Sequence, residues 1–387
     1  MVTRVLVIVM DSVGCGELPD ADHYGDEGSD TLGHIADAIP LRVPTLRSLG
    51  LGRVARIGGE QPAPIGAAGR MAELSPGKDS VTGHWELMGI VLDRPFPTFP
   101  DGFSAATIAE FERRIGRRSI GNVVASGTEV IDALGPEHVR TGAPIIYTSA
   151  DSVFQIAAHE GVVPIDELYR YCEEAYDLVG RGMGVGRVIA RPFCGEPGRF
   201  TRTSNRRDYA LDPFEETMLD RLKTAGHPVV GIGKIEDLFA SRGLTKAIHT
   251  KSDDHGMDVV LEELAATDRG LIFVNLVDFD TQYGHRNDVP GYAANLERFD
   301  ARLAQVLPVL RDTDLLIVTA DHGNDPATPS TDHSREHVPL LVAGASIRAG
   351  VDLGTRETFA DVGQTLAEIF GLAPMRVGTS FWGLVSK

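Results

Sequence analysis

The sequence predicts an α/β protein, with a mostly parallel sheet flanked by helices and a smaller α/β segment inserted partway along the chain. Three apolar runs, at residues 5–10, 271–277 and 315–320, carry the prediction. They are rich in β-branched residues and show no apolar–polar alternation, the pattern of strands buried on both faces. Each run stops at carboxylates: Asp11 after the first, Asp278 and Asp280 after the second, Asp321 after the third. Ligands of open α/β sheets bind just beyond the carboxyl ends of the strands. Runs about 300 residues apart can therefore gather their acids at one edge.

Helical spacing fills the gaps between the runs. Leu296, Phe299, Leu303, Val306, Leu307 and Leu310 form one apolar stripe, and Phe359, Val362, Leu366, Ile369 and Phe370 form another. Residues 339–344 read as a further short strand. The stretch 94–100 holds three prolines and suits an extended linker. Beyond it, helical patterns and short strands at 144–149 and 188–190 read as a separate domain. The expected division is a core of residues 1–95 and 213–387 and an inserted domain of residues 96–212.

Composition narrows the function classes. A chain of 387 residues is long for one domain, and 42% hydrophobic with 24% charged residues is ordinary folded composition. Lys plus Arg number 37 against 55 Asp plus Glu, a formal net charge of -18. That balance opposes nonspecific binding to nucleic acid or to an anionic membrane. No apolar run approaches the roughly 20 residues needed to span a bilayer. The first run is also shorter than a signal-peptide core and leads straight into Asp11, so a cytoplasmic protein is expected. Cys15, Cys172 and Cys194 are odd in number and scattered, which argues against a disulfide framework.

Asp11, Asp280, His285, Asp321, His322 and His333 all fall at or just after predicted strand ends. Each alone has a plain structural explanation: a strand-end Asp often caps the next helix, and a loop histidine often bonds backbone. Six oxygen and nitrogen ligands in conjunction suit two divalent ions such as Mn²⁺, Zn²⁺ or Mg²⁺, and the absence of thiolates argues against a structural zinc. A two-metal site serves in-line phosphoryl transfer, and Thr82 is the candidate nucleophile. It stands before Gly83 at the start of a helix-forming segment, where backbone N–H groups can hold a phosphate. The competing explanation of Thr82 is a helix N-cap.

Longer strings carry a resemblance. Residues 9–16, 82–86, 147–151, 275–286 and 321–339 are similar to bacterial-type phosphopentomutases of the alkaline phosphatase superfamily, nearly end to end. The resemblance implies an alkaline-phosphatase-like core and a cap domain made by the insertion. It implies that Asp11, Asp321 and His322 hold one metal and Asp280, His285 and His333 the other, with manganese the family's usual ion. Thr82 would carry the phosphoryl group, and a sugar bisphosphate (glucose 1,6-bisphosphate or ribose 1,5-bisphosphate) would prime it. The expected partner is a small phosphosugar, ribose 1-phosphate or its 2-deoxy form, converted to the 5-phosphate through a pentose 1,5-bisphosphate.

Arg187, Arg191, Arg199, Arg202, Arg206 and Arg207 cluster in the insertion of an otherwise acidic chain, as a phosphate site or as a solvated basic face. The resemblance selects Arg187 and Arg202, with Lys234, for the distal phosphate and Asp151 for the ribose hydroxyls. Other readings of the same site are a metal-dependent phosphatase, a cofactor-independent phosphoglycerate mutase and a non-catalytic metal-binding protein. The length and the threonine oppose the second. The sequence leaves the oligomeric state open, including a monomer.

Overall fold

The computed structural model describes residues 1–149 and 152–387. The chain divides into two compact units: Met1–Arg94 together with Pro213–Lys387, and Pro95–Asp212.

In the first unit, the strands, numbered here in chain order, are β1 Arg4–Met10, β2 Ala67–Met71, β3 Val229–Ile232, β4 Lys246–Ile248, β5 Gly270–Leu276, β6 Asp314–Thr319, β7 Val338–Ala343 and β8 Val351–Arg356. They form one sheet in the order β4-β3-β5-β1-β6-β7-β2-β8. β1 lies between β5 and β6 and is parallel to both. β7 is antiparallel to β6 and to β2, while β8 is parallel to β2. One strand in eight therefore runs against the rest. Every residue of β1, β5, β6 and β7 is buried, as strands covered on both faces must be.

The helix Val289–Val306 buries Tyr292, Leu296, Phe299, Leu303 and Val306, a stripe at intervals of three and four. The predicted stripe extended to Leu307 and Leu310. The α-helix instead ends at Val306, and a 3₁₀ turn follows at Leu307–Val309. Pro308 explains the change, since it has no N–H to continue the ladder.

The second unit has a mixed sheet in which Val153–His159 pairs parallel with Arg187–Cys194 and antiparallel with Ile145–Thr148. Ile120–Val124 extends one side, and Thr201–Arg202 and Arg207–Ala210 pair antiparallel with Arg187–Cys194. Each face has its own packing. Phe103, Phe111, Phe154 and Tyr171 belong to one buried cluster, and Val130, Ile131, Tyr147 and Phe193 to the other.

At the edge of the large sheet remote from the aligned carboxylates, Arg4 is fully buried. Its Nε donates to Asp314 Oδ1 at 3.0 Å, and its guanidinium also reaches the carbonyls of Leu264 and Thr267. Removing one partner of a buried pair strands the other charge. Asp314→Ala should cost about 3–5 kcal/mol, read as a lower urea midpoint for the core transition. A paired Arg4→Met, Asp314→Leu change should recover most of that loss.

Candidate metal centre and nucleophile

Strand register brings the acids together. Val9 pairs with Thr319 and Met10 with Leu276, so the residues following β1, β5 and β6 emerge at one edge. The reversed strand β7 completes the set. Because it starts where its neighbours finish, the segment just before it, His333 to His337, lies at that same edge. A parallel strand in its place would have delivered those residues to the far side.

Asp11, Asp321 and His322 offer ligand atoms within 4.8 Å of one another, and so do Asp280, His322 and His333. His322 is thus common to both groups. His285 approaches from outside them, with Nε2 3.2 Å from Asp280 Oδ2. The other oxygen, Asp280 Oδ1, is 3.3 Å from His333 Nε2 and accepts from Asn324 Nδ2 at 3.0 Å. His285 Nδ1 faces the Thr331 carbonyl at 2.7 Å, and His322 Nδ1 faces that of Gly323 at 3.0 Å. Backbone bonds on Nδ1 leave Nε2 of both rings directed inward, as metal-ligating histidines are usually held.

Several positioning residues gave no functional signal in the sequence. Ser12 adopts a left-handed φ of 73°, and its N–H reaches Asp321 Oδ1 at 3.0 Å. Asn275 Nδ2 donates to Asp11 Oδ2 at 2.8 Å. A polar side chain inside the apolar run 271–277 was the available clue. His84 Nδ1 lies 2.8 Å from the Ser80 carbonyl and 3.0 Å from Asp321 Oδ2. A proton on Nδ1 bonds the nearer carbonyl, which leaves Asp321 Oδ2 its lone pairs. Arg335 is buried and joins the His333 segment to the loop before Thr82, donating to Ser75 O at 2.8 Å, Gly77 O at 2.6 Å and Glu73 Oε2 at 2.7 Å.

Thr82 is fully buried in the first turn of the helix Ser80–Leu87. It is not the N-cap. Asp79 holds that position, accepting from the Val81 and Thr82 N–H groups at 3.0 and 3.1 Å and from Thr82 Oγ1 at 2.6 Å. Its place ahead of a helix-forming run is an N-cap signature. The same turn packs on the acid cluster, with Ser80 Oγ 3.2 Å from His322 Nε2. At Gly83 a Cβ would stand 2.1 Å from the Asp321 carbonyl oxygen, so only glycine permits this approach.

The remaining predicted residues are dispersed. Lys234 follows β3 at the same sheet edge and begins the short helix Ile235–Leu238. Arg187 and Arg202 belong to the second unit. Arg202 is paired opposite Phe193, six residues along the strand from Arg187, about 20 Å of extended chain. Arg187 lies 4.0 Å from Asp208. Burial raises the Tyr147 phenol pKa, against the opposing charges of Arg191, Arg202 and Arg206. Arg202 is thus grouped with Arg191 and Arg206, a grouping that strand spacing could not reveal. Asp151 lies outside the described residues.

Electrostatics support a cation site. Among the described residues, buried Asp11 Oδ1, Asp321 Oδ2 and His333 Nε2 have no hydrogen-bond partner, which is costly unless something else satisfies them. In the metal-free chain, protonated imidazoles oppose the carboxylates. Burial works to raise Asp321, but the charges of His322 and His84 hold it down at about 2. Burial works to lower His285, but its bond to Asp280 and that residue's charge push it up to about 9. His322 is raised well above the usual range against its burial, by Asp321 and Asp11. Once those protons are lost, carboxylate oxygens and imidazole nitrogens of this kind fit divalent ions.

Fold and site together define a metalloenzyme of the alkaline phosphatase superfamily, and the family model for the metalloenzyme superfamily matches residues 3–374. A phosphopentomutase of Caldanaerobacter subterraneus subsp. tengcongensis is 56% identical over 383 residues, covering 98% of each chain. Another, of Carboxydothermus hydrogenoformans, is 56% identical over 387 residues, covering 99% of this chain and 100% of its own. The chain belongs to the phosphopentomutase family. Two solved structures share the fold at low identity. A Pyrococcus horikoshii protein has a TM-score of 0.51 at 16% identity, covering 98% of this chain and 100% of its own. Leishmania mexicana phosphoglycerate mutase, crystallised at low cobalt concentration, has 0.52 at 14%, covering 98% and 97%.

A divalent ion bound through His285 would displace the proton that this ring holds. Because His285 keeps its proton up to about pH 9 in the metal-free chain, affinity should rise with pH until about 9. Calorimetric titration with Mn²⁺ in buffers of different ionisation enthalpy should show proton release on binding. Binding enthalpies independent of the buffer would contradict it.

Proposed function

We propose that the chain interconverts ribose 1-phosphate, or its 2-deoxy form, with the corresponding 5-phosphate by way of a phosphoryl group on Thr82. The observation that carries the reading is a buried threonine hydroxyl in a helical turn that packs directly on the Asp321–His322 pair. The full-length likeness to phosphopentomutases supports it. Asp11, Asp321 and His322 would hold one divalent ion and Asp280, His285 and His333 a second, with manganese as the expected metal. Such ions would offset the negative charge that builds on a transferring phosphoryl group.

The chain's own residues do the rest. Thr82 Oγ1 forms and breaks the bond to phosphorus, first giving the group to the free sugar hydroxyl and then taking the other phosphate back from the pentose 1,5-bisphosphate. A sugar bisphosphate supplies the first phosphoryl group. Arg202, with Arg191 and Arg206, would bind the distal phosphate as charge-assisted donors, and Asp151 would accept from the ribose hydroxyls. No helix among the described residues is long and apolar enough to cross a membrane. A cytoplasmic setting suits this substrate.

Thr82→Ala should reduce isomerisation of ribose 1-phosphate, measured with Mn²⁺ and a trace of ribose 1,5-bisphosphate, by about a thousandfold or more. Net release of inorganic phosphate by the unaltered chain would instead make it a hydrolase. Arg202→Ala should raise KM about tenfold with a smaller effect on kcat, as expected for binding shared by ground and transition states. An unchanged KM would remove Arg202 from the phosphate site.

A further inference from the structure

Among the described residues, Thr82 Oγ1 has one hydrogen-bond partner, Asp79 Oδ2 at 2.6 Å. The other oxygen, Oδ1, takes the N–H groups of Val81 and Thr82. One carboxylate thus satisfies the hydroxyl and two of the first-turn donors that a helix start otherwise leaves open. Its loop is held against the threonine. A Cβ at Gly77 would stand 2.9 Å from Thr82 Oγ1, Arg335 donates to the Gly77 carbonyl at 2.6 Å, and Lys78 Nζ pairs with Asp26 at 3.0 Å. The turn packs on the acid cluster, with Ser80 Oγ 3.2 Å from His322 Nε2.

A phosphate ester on Oγ1 has no proton to donate. The Asp79 contact would then set a carboxylate oxygen against an ester oxygen, beside a group carrying about two negative charges. The carboxylate must withdraw, and its withdrawal releases the Val81 and Thr82 N–H groups. Helix-start N–H groups of this kind bind phosphate oxygens well.

We propose that Asp79 is a positioning residue that stands in for the phosphoryl group, holding the helix start and the Thr82 hydroxyl in the free enzyme and surrendering both when Thr82 is phosphorylated. The inference rests on the reading of Thr82 as the phosphoryl carrier. Its consequence is a bias in the transfer equilibrium: the carboxylate favours the free hydroxyl and so favours delivery of the group to sugar.

The test equilibrates the full chain, as wild type and as Asp79→Asn, with Mn²⁺, ribose 1,5-bisphosphate and ribose 5-phosphate. Intact mass gives the ratio of phosphorylated to free protein, and peptide mapping gives the site. Asparagine still accepts at the N-cap but lacks the charge. The ratio should rise about tenfold in the variant, the scale of one charge-assisted hydrogen bond. Asp79→Asn should also lower the thermal midpoint of the free form more than that of the phosphorylated form. A merely structural cap would lower both equally and leave the ratio alone, which overturns the proposal. Wild type with no phosphate on Thr82 would overturn the carrier reading and this inference together, and the mapping separates the two failures.

Discussion

Three buried carboxylates, those of Asp11, Asp280 and Asp321, share one sheet edge, and the rest of the site answers to that crowding. Buried like charges are tolerable only beside positive charge. In the metal-free chain the positive charge comes from protons on His285 and His322. Those protons occupy the side of each imidazole that a cation needs. Binding of a cation through these rings would therefore be an exchange, one proton for one coordination bond.

Neutral side chains aim the acids without adding charge. Asn275 fixes Asp11, Asn324 fixes Asp280, and the Ser12 N–H in its left-handed turn fixes Asp321. Strained backbone at such a point is tolerated when its surroundings over-determine it, and Tyr292 supplies that support by donating to the Ser12 carbonyl at 2.9 Å. Arg335 links the His333 segment to the loop over Thr82. A change in either segment should therefore be felt by the other, since buried polar networks respond as units.

The sheet was legible because its central strands are long, apolar and unalternating, and their terminal acids marked the edge. The weaker strands were not. Ala67–Met71 is short and small-sided, and Val351–Arg356 is largely exposed and bulged, so neither resembles a buried core strand. The grouping of His322 with both acid sets was hidden because it depends on how the loops after separate strands fold together. Asp79 was hidden for a different reason. Thr82 drew the functional reading, while the residue that caps its helix stood three positions earlier and looked like ordinary polar punctuation.

The position of β1 also governs the order of assembly. β1 is synthesised well before both of its partners, and it hydrogen-bonds to Gly270–Leu276 on one side and Asp314–Thr319 on the other. The contiguous unit Pro95–Asp212 can close its own two cores long before either partner has been translated. Until then an apolar strand ending in Asp11 waits unpaired, and long-range pairing of this kind is slow and open to aggregation. The architecture that makes a precise site from distant segments thus also makes β1, while it waits for them, its most vulnerable strand.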